Sequence, residues 1–140
     1  MSLDANKALV RRLFDDDISR GDLAAADEII HPDFVDHTNP PQWRHGIAGH
    51  KAIVALFRSV FPDLTWRADA LIAEEDLVAA RTTMTGTQRG DFFGVPPTGR
   101  RVTVSGVHVL RVQDGKLVEH WGNNDDLGLL RQLGALPDPA

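Results

Sequence analysis

Six histidines and twenty acidic residues are the only side chains here that could move protons near neutral pH, since the chain has no cysteine. His108 and His120 stand on two alternating apolar runs either side of Asp114-Gly115. Imidazole titrates close to neutrality, so two of them in one cavity would make an acid/base pair. If His108 faces inward, alternation turns Gly106 and Leu110 the same way, and His120 and Val118 share the inner face with position 122. The plainer alternative is that the two rings hydrogen-bond each other in a polar part of the core. Asp36 and His37 are an adjacent carboxylate–imidazole pair, and neighbours on a strand point to opposite faces, so at most one of the two reaches a cavity. A carboxylate among apolar walls acquires a raised pKa and becomes a workable acid or base; Asp36 could equally start an exposed loop. Asp125 could bend into the cavity mouth, but its place at a helix start favours capping; Asp126 is a weaker version of the same case. Trp43, Trp66 and the Phe92-Phe93 pair are candidate walls, the pair placed either to close over an apolar ligand or to pack against a partner. No two histidines have a metal-ligating spacing such as His-Glu-x-x-His; His45 and His50 read as loop and first-turn residues. No phosphate loop or cofactor motif is present, and none is expected.

The elements that must hold these residues follow from periodicity. Leu9, Val10, Leu13, Phe14 and Ile18 recur at helical spacing, with Lys, Arg and Asp opposite. Gly21 stops that helix, Asp22 caps a second over Leu23 to Ile30, and His31-Pro32 ends it. An extended Asp33 to His37 leads through a breaker-rich loop to a third helix, about Gly49 to Phe61, stopped at Pro62-Asp63. Beyond it the period changes to two. Strands are expected from Leu64 to Ala70, Leu77 to Thr87, Arg101 to Val112 and Lys116 to Trp121, with a long Gln88 to Gly99 loop. Asp114-Gly115 between apolar runs is a strong hairpin signal. A last helix covers Asp125 to Leu133, followed by a short proline-containing tail. Helices first and strands afterwards predict one α+β domain over 1–140, helices on one side of a curved antiparallel sheet, with an apolar concavity open at one end.

Composition excludes several functions. The 140 residues carry a net charge of −5, and the only basic doublets are Arg11-Arg12 and Arg100-Arg101, so no footprint for nucleic acid is present. No apolar run is long enough to span a bilayer, and no basic segment precedes an apolar one at the N-terminus, so a cytoplasmic protein without membrane partners is expected. The expected partner is a small apolar molecule, with a second copy of the chain as a homodimer if the outer sheet face is apolar.

Gly94-Val95-Pro96-Pro97-Thr98-Gly99-Arg100-Arg101, Val107 to Val112, Asp114-Gly115-Lys116-Leu117 and Leu130-Arg131-Gln132-Leu133-Gly134 together resemble the SnoaL-like polyketide cyclases. His31-Pro32-Asp33-Phe34 and His45-Gly46 agree as well. The resemblance covers nearly the whole chain and implies the cone-shaped nuclear-transport-factor-2-like fold, whose members include cyclases, isomerases, hydrolases and pure binding proteins. It implies intramolecular aldol closure on an anthracycline precursor, without metal or cofactor, by one pocket carboxylate assisted by a histidine on the preceding strand. That histidine falls on His108. The carboxylate falls fourteen residues later, on Gly122, and a pocket asparagine falls on Asp36.

Two functions therefore stand side by side: a cofactor-free cyclase or isomerase using His108, Asp36, His120 and Asp125, or a binding protein that has lost the chemistry at Gly122. Under either, Trp66, Phe92, Phe93, His37, Leu110 and Gly122 would touch the ligand. Hydrolysis by a carboxylate-activated water lacks a close Asp/Arg/Asp set. If only the acid/base is missing, Gly122→Asp should produce or greatly raise cyclase activity.

Overall fold

A computed structural model describes residues 2–137, which leaves the last three residues of the proline-containing tail outside it. Helix α1 (Leu3–Arg12) starts on the Ser2 hydroxyl, which accepts from Ala5 N–H, and runs directly into a π-helical segment, Leu13–Ser19. Asp22 caps α2 (Leu23–Ile29) by accepting from the N–H groups of Ala24 and Ala25. Strand β1 (Ile30–Asp36) follows at once, so the chain is already extended at His31-Pro32. Proline has no N–H to give a ladder and is tolerated on an edge, and β1 is an edge strand. Helix α3 is Gly46–Val60, three residues longer at its start than the periodicity predicts.

Strands β2 (Thr65–Glu74), β3 (Leu77–Thr87), β4 (Arg101–Gln113) and β5 (Lys116–Asn124) form an antiparallel meander, and α4 (Asp126–Gln132) closes the described chain. The sheet order is β1-β5-β4-β3-β2. One pairing departs from the expected antiparallel sheet: β1 lies parallel to β5, with Asp36 opposite His120. The helices cover one face. Phe14, Ile29, Phe61, Val78, Leu110 and Leu117 are essentially buried between the layers, each such side chain worth about 1.5–3 kcal/mol. The other face is mixed: Arg67, Arg81, Thr103 and Ser105 are exposed on it, but so are Ile72 and Val107, and Ile72, Ala79, Val109 and Trp121 form an apolar row across four strands. No helix among the described residues is long and apolar enough to cross a membrane.

A bulge in β5 decides what the cavity sees. Arg111 pairs with Glu119 but Val112 with Leu117, so Val118 is the extra residue. Leu117 is consequently in the core and His120 still faces inward, although they differ in parity. Val118 leaves the inner face on which plain alternation puts it.

Candidate active site

Between the sheet and the helices lies a cavity of about 400 Å³, in the range that encloses a small organic ligand. Leu13, Phe14, Phe34, Phe57, Trp66 and Leu110 supply apolar wall. Polar groups converge on it from several elements.

The sheet side carries a continuous hydrogen-bonded chain. Asp36 Oδ2 lies 2.9 Å from His120 Nδ1, His120 Nε2 is 2.8 Å from His108 Nδ1, and His108 Nε2 is 3.0 Å from Asn124 Oδ1. The two imidazole planes are 6° apart with centroids at 5.1 Å, as an in-plane N–H···N bond requires. Sheet pairing sets the order: parallel register aligns Asp36 with His120, and antiparallel register aligns His108 with Gly122 and Leu110 with His120. The Thr38 N–H, 2.9 Å from Asp36 Oδ1, serves the other carboxylate oxygen.

Burial and partners determine the charges. Burial pulls the Asp36 carboxyl upward, but the bonds from His120 and the Thr38 N–H outweigh it and hold Asp36 below the ordinary carboxylate value. Burial, with the charge of His120 second, pushes His108 down to about 4, so its ring is neutral. His108 is enclosed edge-on by Phe14 and Trp66, both with centroids at 5.5 Å. A neutral ring has one N–H. With that proton on Nε2, donated to Asn124 Oδ1, Nδ1 must accept, and His120 then carries protons on both nitrogens against the Asp36 carboxylate. Each donor in this arrangement meets an acceptor.

Gly122 is what makes room. A Cβ there would stand 2.7 Å from His108 Nδ1 and 3.1 Å from His120 Cε1. Its backbone instead bonds to Thr38, whose hydroxyl accepts from the Gly122 N–H at 2.7 Å.

Of the residues singled out by sequence, Asp36, His108, His120, Leu110, Trp66, Phe92 and Phe93 line the cavity. Trp43, His37, Gly122 and Asp125 do not. His37 is on the outside, bonded to Glu119 at 2.7 Å and stacked on Trp121. Asp125 caps α4, accepting from the Gly128 N–H at 2.9 Å. Asp125→Ala should therefore lower stability by about 0.5–2 kcal/mol, read as a shifted denaturant midpoint with unchanged slope. Its neighbour Asp126 is the carboxylate that reaches the mouth, and burial together with the charge of Asp125 holds its carboxyl above the usual range.

The Gln88 to Gly99 loop is pinned from within. The buried Gln88 side chain donates to the carbonyls of Gly90 and Val95 and accepts from the Thr98 hydroxyl. Phe92 packs on Phe57 and Phe61, whereas Phe93, with φ 44°, remains 62% exposed at the rim.

His50 was not legible as a site residue. Because α3 begins at Gly46, His50 lies in its second turn, on one face with Ile53, Val54 and Phe57, and all four line the cavity. Its Nε2 bonds the fully buried Asp17. The signal was present in the i, i+3, i+4, i+7 spacing of these four residues. Asn124 and Asp126 follow from β5 running three residues past Trp121. Among the described residues no group of three His, Asp or Glu is placed to hold a metal ion.

Comparison with known proteins agrees with this architecture. The sequence pattern of SnoaL-like polyketide cyclase matches residues 8–133. Nogalonic acid methyl ester cyclase of Streptomyces nogalater is 38% identical over 113 residues, covering 77% of this chain and 82% of its own. The structure of TsrD from Streptomyces laurentii superposes with a TM-score of 0.90 at 32% identity, over 97% of this chain and 99% of the other. AclR, a candidate hydroxylase from Streptomyces galilaeus, gives 0.84 at 37% identity over 99% and 91%. The chain belongs to the SnoaL-like polyketide cyclase family.

Proposed function

We propose that this chain closes a carbon ring by intramolecular aldol addition on the methyl ester of an aromatic polyketide, without a cofactor. The observation that carries the reading is the Asp36–His120–His108–Asn124 chain set in a cavity whose walls are largely apolar. A carbon flanked by an ester and a ketone has an acidic C–H. Removal of that proton gives an enolate, its carbon attacks a second carbonyl, and the new alkoxide takes a proton. Substrate and product are isomers, so no oxidant or reductant enters.

The chain stabilises the charge that develops on oxygen. His108 Nε2–H, which bonds Asn124, can instead donate its hydrogen bond to the carbonyl oxygen on which charge develops, with the His120–Asp36 pair behind it fixing which nitrogen holds the proton. Asp36→Asn removes the charge paired with His120 and leaves one acceptor oxygen where His120 Nδ1–H and the Thr38 N–H each have one, and should lower kcat by about 100-fold or more with the fold retained. The test is incubation with nogalonic acid methyl ester. A ring-closed product of unchanged mass, lost in Asp36→Asn, supports the reading. Tight binding without turnover would make the chain a carrier and overturn it, as would an oxygen-dependent product one oxygen atom heavier.

A further inference from the structure

The cavity holds a second pair of proton-bearing groups, from the helical side. Asp17 lies in the π-helical Leu13–Ser19 segment and is fully buried. Such turns are rare and recur at functional sites. Its Oδ2 bonds His50 Nε2, while its Oδ1 has no partner. A carboxylate buried with one oxygen unserved is costly, and the fold gains nothing from it that an apolar side chain would not supply better. His50 retains 6% side-chain exposure and lines the cavity. Its Nδ1 has no hydrogen-bond partner among the described residues.

We propose that His50 Nδ1 is the atom that removes the acidic C–H proton, and that Asp17 is its positioning residue. The inference rests on the ring-closing reading above and assigns the base within it. With Nε2–H given to Asp17, the free lone pair is on Nδ1 of a ring that lines the cavity. When the proton arrives, the imidazolium is paired with Asp17 from the π-helical segment and faced by Asp36 from β1, while Phe34 packs edge-on against the ring at 5.9 Å. The C–H electron pair becomes the enolate and forms the new C–C bond. The attacked carbonyl's π pair moves to its oxygen, which takes a proton from water, and His50 returns its proton to the hydroxide so formed, so the balance closes. Base and oxyanion donor thus come from different elements, α3 and β4.

Steady-state kinetics on nogalonic acid methyl ester, with circular dichroism of each variant, tests this. His50→Gln should lower kcat by about 100-fold with KM little changed. His50→Ala should be equally slow and regain turnover, saturably, on addition of imidazole; a packing role gives no such rescue. Asp17→Asn should lower kcat by about tenfold or more. Wild-type rate in a folded His50→Gln, or a folded His50→Ala that imidazole cannot rescue, overturns the assignment. In the wild type, nitrogen NMR must show His50 protonated on Nε2 and bare on Nδ1; a proton on Nδ1 also overturns it. Should the wild type leave the ester unclosed, the ring-closing reading fails on its own. The pair is then judged by exchange of the ester's acidic C–H in D2O: exchange lost in His50→Gln sustains it, and absent or equal exchange ends it.

Discussion

Gly122→Asp will lower activity, not raise it. The expectation from resemblance was the reverse, because the family's carboxylate falls on this residue. The geometry overturns it. Antiparallel register puts Gly122 opposite His108, and a Cβ would approach His108 Nδ1 to 2.7 Å, His108 Cε1 to 3.0 Å and His120 Cε1 to 3.1 Å. Those atoms belong to the His108–His120 hydrogen bond or its immediate neighbours. A side chain at 122 and that bond cannot coexist without movement, so the glycine and the two-histidine chain are one arrangement. Crowding a packed site of this kind costs about 1–3 kcal/mol, and loss of the oxyanion donor should reduce kcat by about 100-fold or more. Gly122→Ala is the informative companion, since it introduces the same Cβ without the charge. Both should lower the melting temperature and the rate of ring closure. If Asp raises the rate while Ala lowers it, the carboxylate is what the chemistry lacks and the histidine chain is not the acid/base machinery.

Much of the scaffold was readable because its signals are local. Asp114-Gly115 between alternating runs defines the β4–β5 hairpin, and the polar Glu74-Glu75-Asp76 turn bounds β3 at Leu77, where the structure also begins it. Alternation correctly put His108 and Leu110 on the inner face, since β4 keeps one parity from Val102 to Val112. What was missed is non-local. The parallel β1–β5 pairing joins residues more than eighty apart, so Asp36 meets His120 for a reason no window along the chain contains. The bulge at Val118 broke parity in β5. His50 was read as a first-turn residue because the breakers before it moved the helix start to Gly49. Asp17 fell on the polar face of the first helix, since a fully buried aspartate is uncommon and its partner lies thirty-three residues away.

The second large effect is on stability at mildly acid pH. His108 has a folded-state value of about 4 against an ordinary 6.5. Between those values the unfolded chain binds a proton at this residue and the folded chain does not, so stability falls as pH falls. The contribution is complete above about 6.5 and is lost progressively down to about 4, amounting to about 3 kcal/mol. The hydrogen bonds explain why the folded state refuses the proton. When Nδ1 accepts from His120 and Nε2 donates to Asn124, a second proton on His108 would face the N–H of His120. The ring would have to break from one neighbour, inside a wall formed by Phe14 and Trp66. Asp36 acts in the next window: its depressed carboxyl adds stability above the ordinary carboxylate value that is lost as pH falls through the folded one. Urea unfolding at steps from pH 7 to pH 4 should therefore show a steep decline in the wild type. His108→Gln keeps a donor and an acceptor but cannot titrate, and should start less stable while losing less over the same range. Parallel curves for the two proteins would show that His108 takes up its proton as readily folded as unfolded, and the neutral-ring arrangement on which the oxyanion donor depends would be wrong.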